Sequence, residues 1–228
     1  SLCNGQAKMI KAIIFDFDGV LVESVDVKTK AFAKMFEEEG EEVVRKVTDY
    51  HLVNGGVSRV RKFEYYYEEI LKRSLSDEKL EELCDTFSRL VIDEVINSSY
   101  VKGAEEFLDE FYSKLDFYVA SGTPEEELRE IVKCRGMEMY FKGVYGSPRQ
   151  KSEIARKILL QNGYNSDEVV FIGDSITDLN GAQESGIRFI GRTVDSDHTL
   201  FADMGIKAIK DLSDLEKIIL GLDRCNTI

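Results

Sequence analysis

Seven residues of this chain have the types and placing to act on a charged small molecule. Asp16 and Asp18 interrupt the apolar run AIIFDFDGVLV, Ser121 and Thr123 stand in ASGT, Lys151 opens KSEIARKILL, and Asp174 and Asp178 stand in GDSITD. Carboxylates can serve as nucleophiles and proton carriers. Hydroxyls and an ammonium can hold an anion. An ionised carboxylate in an apolar setting is costly unless something pairs with it. Two acids in a strand-like run therefore call for a compensating charge.

The elements around these residues predict how they meet. Residues 12–18 read as a first strand. From about Ser24 to Tyr100 apolar residues recur at three- and four-residue spacing in AFAKMFEEEG, EEVVRKVTDYHLV, RVRKFEYYYEEILKR and DEKLEELCDTFSRLVIDEVI, which predicts helices only. Ser58 reads as the N-cap of the third of these, and the run Tyr65–Tyr67 as packing within it. Beyond Tyr100 the chain alternates. DFYVASG, GVYGS, EVVFIGDS, IRFIGRT and IKAIK read as strands. Helices fall between them, one with Pro124 in its first turn and one closed by Gly163.

Such alternation predicts an α/β fold with a parallel sheet covered on both faces, in three layers. An all-helical insert follows the first strand. The implied domains are 1–22 with 101–228, and 23–100. Ligands of open parallel sheets bind beyond the carboxyl ends of the strands. Asp16, Asp18, Ser121, Gly122, Thr123, Lys151 and Asp174 all fall at that edge, with Asp178 one helical turn behind. A cluster of acids repels itself, and a hard divalent cation compensates it. Mg2+ prefers oxygen ligands, retained waters and a substrate phosphate.

Taken singly, each motif has a plainer reading. DFDG suits a turn. As a calcium loop it fails, because Gly19 comes fourth rather than sixth. SGT suits a helix cap, a lone lysine suits the surface, and GDSxxD suits a capped helix start. Their joint occurrence at predicted strand ends and helix starts carries the inference.

Composition narrows the function classes. The 228 residues are 43% apolar and 32% charged, with 30 basic against 43 acidic side chains for a net charge of −13. That balance argues against nucleic acid and anionic membranes as partners. No apolar run approaches the ~20 residues that cross a bilayer. The stretch SLCNGQAKMIKAIIF lacks the apolar core of a signal peptide. Cys3, Cys84, Cys134 and Cys225 are scattered, which suits reduced thiols in a cytoplasmic protein. His51 and His198 are the only histidines, which disfavours a His/Cys zinc site.

The motifs DxDGVLVES (Asp16–Ser24), ASGT (Ala120–Thr123), Lys151 and GDSxxD (Gly173–Asp178) together resemble the haloacid dehalogenase superfamily, in order and over nearly the whole chain. The helical insert resembles the cap of the phosphoglycolate phosphatase and β-phosphoglucomutase group. The resemblance implies a Rossmann-like core and a Mg2+ cofactor held by Asp16, Asp174 and the backbone carbonyl of Asp18, with Asp178 supporting them. It implies Asp16 as the nucleophile and Asp18 as general acid/base. Ser121 and Lys151 become the phosphate holders, helped by Gly122 and Thr123. As an acid, Asp18 requires a raised pKa.

The cap segment GGVSR resembles that of β-phosphoglucomutases, making Arg59 a candidate for gripping substrate; Asn54, Arg61 and Lys62 lie near it. Two departures favour a hydrolase. Gly55 stands where the mutases have a lysine, and Lys28 where they have a histidine. The expected activity is hydrolysis of a small phosphomonoester, such as a sugar phosphate, by a monomer or weak dimer. The alternatives are a phosphomutase, a phosphonate hydrolase using Lys28, and a binding protein on a retired scaffold. Dehalogenation is disfavoured because Asp18 is kept.

Overall fold

The computed structural model describes residues 9–194 and 200–224. Cys3, Cys225 and His198 lie outside them, as does the stretch before Met9. Cys84 and Cys134 are free thiols.

Six parallel strands form one sheet: β1 (Ala12–Phe15), β2 (Asp116–Pro124), β3 (Phe141–Ser147), β4 (Val169–Gly173), β5 (Arg188–Arg192) and β6 (Ala208–Ile209). Their order is β3-β2-β1-β4-β5-β6. The order reverses direction between β1 and β4, and the crevice at such a switch point is where open sheets bind ligands. Register fixes which side chains reach it: Phe15 lies opposite Val119 on one side and Ile172 on the other.

Side chains alternate along β1. Ile13 and Phe15 join a core with Phe107 and Leu108 of α5 (Ala104–Phe111) and Leu128 and Ile131 of α6 (Glu125–Cys134). Ala12 and Ile14 join a second core with Ile154 and Ile158 of α7 (Lys151–Asn162) and Ala182 of α8 (Ile176–Glu184). A final helix, α9 (Leu215–Arg224), packs Leu215 and Ile219 into the first core. These are the three layers that the alternation predicted.

The insert comprises α1 (Val25–Met35), α2 (Glu41–Val53), α3 (Arg59–Tyr65) and α4 (Asp77–Asn97). Phe32, Phe63, Tyr66 and Phe87 meet at its centre, with Phe32 and Phe87 centroids 4.3 Å apart. Burying each such ring contributes about 1.5–3 kcal/mol. Ser58 caps α3 by accepting from the Arg61 amide at 3.4 Å. Tyr66–Leu71 then continues as a π-helical turn ended by Lys72 in the left-handed region. Tyr65 stacks on Tyr50 at 3.8 Å, so this part of the tyrosine run is packing.

Two details depart from the sequence reading. β1 ends at Phe15, so Asp16 and Asp18 stand on the loop beyond it rather than inside a strand. Pro124 is the last residue of β2 and immediately precedes α6. Both follow from the same cause, because the strands stop where the chain turns to form the crevice.

No helix among the described residues is long and apolar enough to cross a membrane.

Candidate active site

Asp16 is the first residue past β1. Its amide donates to the Ile172 carbonyl at 2.9 Å, and its Oδ1 accepts from the Phe17 amide at 2.7 Å. The chain then turns tightly, with the Leu21 and Val22 amides returning to the Phe17 carbonyl. Gly19 makes the turn possible. Its φ is 77°, and a Cβ there would lie 2.1 Å from Asp174 Oδ2.

Lys151 is buried at the start of α7. Its Nζ lies 3.0 Å from Asp16 Oδ2 and donates to Asp178 Oδ1. Burial pulls this ammonium's pKa down, but Asp16 and Asp178 outweigh it and hold it above the ordinary lysine value. The other Asp178 oxygen accepts from Ser175 Oγ at 2.7 Å and from the Asp174 and Ser175 amides at 3.1 Å. The GDSxxD stretch is thus a helix cap that also fixes an acid against a lysine.

Asp18 faces a different set of partners. Ser24 Oγ donates to Oδ1 at 2.6 Å, and Lys28 Nζ donates to Oδ2 at 2.5 Å. Lys28 also donates to Thr123 Oγ1 at 2.8 Å. Burial pushes Asp18 up, but Lys28, Ser24 and Thr123 more than offset this and hold it below the usual carboxylate value. The raised pKa expected of an acid is therefore absent in this arrangement. Lys28 is no surface lysine: its side chain is 13% exposed. Ser121 is buried, and its Oγ accepts from the Thr123 amide at 3.1 Å.

The acids fit a divalent cation. Oxygens of Asp16, Asp174 and Asp178 lie within 4.8 Å of one another. Asp178 is saturated by Lys151 and the α8 cap, which leaves Asp16 and Asp174 as carboxylate ligands. Burial first and Asp178 next raise Asp174 to about 7, and the same two causes raise Asp16. Four carboxylates are paired at close range with two ammonium groups, Lys28 and Lys151, while Arg192 and Lys62 act on them from farther off. Ionised, the cluster keeps an excess of negative charge at close range among hard oxygen donors, which suits a divalent cation such as Mg2+.

The insert closes over this floor. The Gly55–Val57 loop sits on the crevice: a Cβ on Gly56 would lie 2.8 Å from Lys151 Nζ. A Cβ on Gly55 would lie 3.1 Å from Ser175 Cβ, which leaves little room for the lysine of the mutases. The cavity between them measures about 120 Å³ and is lined by Asp16, Asp18, Ser121 and Asp174 below and by Phe32, His51, Arg59 and Lys62 above.

Arg59 reaches this cavity wall, but its guanidinium is engaged. NH1 and NH2 donate to the two Glu127 oxygens at 2.8 and 2.7 Å, NH1 also meets Ser88 Oγ at 2.5 Å, and the group lies over the Phe87 ring. It joins the insert to α6 of the sheet layer. Glu127 and Ser88 escaped the sequence reading. Glu127 is hidden in Glu125–Glu127, three acids that suit any helix start. His51 escaped too, having been weighed only as a zinc ligand.

A family model described as haloacid dehalogenase-like hydrolase matches residues 13–192. The chain belongs to that family. Within the haloacid dehalogenase-like hydrolases, a phosphoglycolate phosphatase from Sulfolobus acidocaldarius is 26% identical to this chain, covering 92% of each. Solved structures share the fold. One is a phosphonoacetaldehyde hydrolase-like protein from Oleispira antarctica, with a TM-score of 0.77 at 15% identity over 96% of this chain and 95% of that one. Another is a predicted phosphoglycolate phosphatase from Haemophilus somnus, with a TM-score of 0.71 at 17% identity over 92% and 97%.

Proposed function

We propose that this haloacid dehalogenase-like hydrolase is a Mg2+-dependent phosphatase acting on a small phosphomonoester of the phosphoglycolate kind. One observation carries the reading. The Asp16 carboxylate lies on the floor of a cavity beneath the insert, with Lys151 Nζ 3.0 Å from Oδ2. A carboxylate that attacks phosphorus must approach an anion, and this ammonium offsets the repulsion.

In this reading Asp16 attacks and carries the phosphoryl group. Ser121, the Gly122–Thr123 backbone and Lys151 hold its oxygens. Asp16, the Asp18 carbonyl and Asp174 would hold the metal, which supplies further charge neutralisation when bound. Lys28 keeps Asp18 ionised, ready to take a proton from water in the second half-reaction. Protonating the leaving oxygen requires the Lys28 contact to loosen as substrate enters. The crowding at Gly55 supports hydrolysis over mutase chemistry.

Residues 23–100 act as a cap on the core formed by 1–22 and 101–228. The two crossings are bonded side by side, Glu23 amide to Ser99 carbonyl and Val101 amide to Leu21 carbonyl, each at 2.9 Å. That pairing suits a hinge. Opening admits a small phosphorylated metabolite to a protein working in the cytoplasm.

The test is phosphate release from 2-phosphoglycolate, sugar phosphates and p-nitrophenyl phosphate, with and without Mg2+, beside Asp16→Asn. Release that needs Mg2+ and is lost in Asp16→Asn supports the reading. Release unchanged in Asp16→Asn, or none from any ester, overturns it.

A further inference from the structure

Lys62 is a buried cation without an anionic partner. On α3 it is 3% exposed, and its Nζ bonds only His51 Nδ1, at 2.8 Å, among the described residues. The Phe32 ring lies 5.8 Å from it. Burial holds this ammonium down to about 7, and Lys28 adds to the effect, while Asp18 and Asp174 act more weakly in the opposite sense. A group in this state gains from any anion brought against it.

His51 shows the same deficit from the other side. It is buried, and burial first and Lys62 second hold it neutral, with its pKa pulled to about 3. Because Nδ1 accepts from Lys62, the ring proton sits on Nε2, which has no hydrogen-bond partner of good geometry among the described residues, the Val25 backbone acting on the ring only weakly. An orphaned buried donor is costly, and a ligand acceptor relieves it. Both residues line the cavity that also holds Asp16. The other cations of that cavity are taken, Arg59 by Glu127 and Lys28 by Asp18.

We propose that Lys62 and His51 form the subsite that receives a carboxylate at the substrate's far end, while Arg59 serves to hold the cap on the core. The proposal rests on the phosphatase reading for the near end, where Lys151 meets the phosphate. Two donors, with their one acceptor already used, suit an acceptor-only carboxylate better than a hydroxyl, which brings a donor and no charge. Both ends lie on one cavity of about 120 Å³, which suits a short ligand carrying two anions. The substrate class is then a short phosphorylated acid rather than a sugar phosphate.

The test compares 2-phosphoglycolate with 2-hydroxyethyl phosphate, which differs by replacing the carboxylate with a neutral alcohol. In wild type the acid is favoured in kcat/KM. Lys62→Met keeps the length of the side chain and removes its charge. It lowers kcat/KM for the acid by about 10- to 100-fold, the equivalent of one charge-assisted hydrogen bond, mainly through KM. Turnover of the alcohol stays within about threefold. Equal loss on both esters, or an unchanged preference, overturns the subsite.

Calorimetric binding of the same two esters to Asp16→Asn, with and without Lys62→Met, reads the subsite without turnover. If wild type hydrolyses neither ester yet the acid binds more tightly through Lys62, the phosphatase reading fails and the subsite stands. If Lys62→Met binds both as the parent does, the subsite fails whatever the turnover. Lys62→Gln replaces Lys62→Met in both assays if the latter does not fold.

Discussion

Gly56 of the cap and Gly122 of the core meet backbone to backbone: a Cβ on Gly122 would lie 2.4 Å from the Gly56 carbonyl oxygen. A carbonyl in a tight turn cannot yield as a flexible side chain can. Gly122→Ala therefore holds the cap off its seat without disturbing the sheet cores. We expect kcat/KM to fall about 100-fold, the scale of an ångström-size misplacement, while the melting temperature changes little. Full activity with Ala at Gly122 would show that the cap need not seat this closely.

The Arg59–Glu127 pair is the second clasp. Both side chains are buried, at 4% and 8% exposure. Removing one partner strands a charge, with a cost of about 3–5 kcal/mol where the other stays buried. Opening of the cap limits that loss by letting the stranded group reach water. Glu127→Gln should therefore lower kcat/KM more than global stability, and Arg59→Met with Glu127→Leu should recover part of it. Urea unfolding beside kinetics checks this; a double variant no better than either single one counts against the clasp.

Asp174 links metal, pH and stability. Burial and Asp178 raise it from 3.8 to about 7 in the folded protein. The native state thus binds a proton that the unfolded state has released. Its stabilising effect is present at low pH and lost as pH rises from about 4 to 7. Metal-free protein should be less stable at pH 8 than at pH 5.5 on account of this group, and Mg2+ should reverse the trend. Mg2+ affinity should weaken below pH 7, where protons compete. Asp174→Asn should flatten both effects. Denaturation and Mg2+ titrations at the two pH values measure them, and a profile unaltered in Asp174→Asn would rule the group out.

Lys28 sets the proton affinity of Asp18. Without it, burial acts with less opposition and Asp18 rises. Lys28→Met should move the acid limb of the kcat pH profile upward. An unmoved limb would mean that Asp18 does not take the proton.

Much of this was legible because local rules and function coincide. Ser175 and Asp178 would be placed together by helix capping alone, so GDSxxD was readable as structure before it was readable as chemistry. The meeting of Asp16, Ser121 and Asp174 at one sheet edge followed from apolar patterning and the geometry of parallel sheets, although β2 runs on past Ser121 to Pro124. Lys28, His51 and Glu127 were opaque because their partners are distant. Arg59 and Glu127 are 68 positions apart, and Lys28 and Thr123 are 95 apart. A lysine on an amphipathic helix reads as solvated until a second element is laid over it. The same blindness hid the lowered pKa of Asp18.

The cavity has Asp16, Asp18, Ser121 and Asp174 below and residues of the insert above. That stacking sets an order of traffic. In the proposed phosphatase reading a phosphomonoester arrives phosphate first, and after cleavage the dephosphorylated remainder lies nearer the exit. In that reading it leaves while the phosphoryl group is still on Asp16, and inorganic phosphate departs last. That reading makes free phosphate a competitor for the resting enzyme, so its own product would slow it.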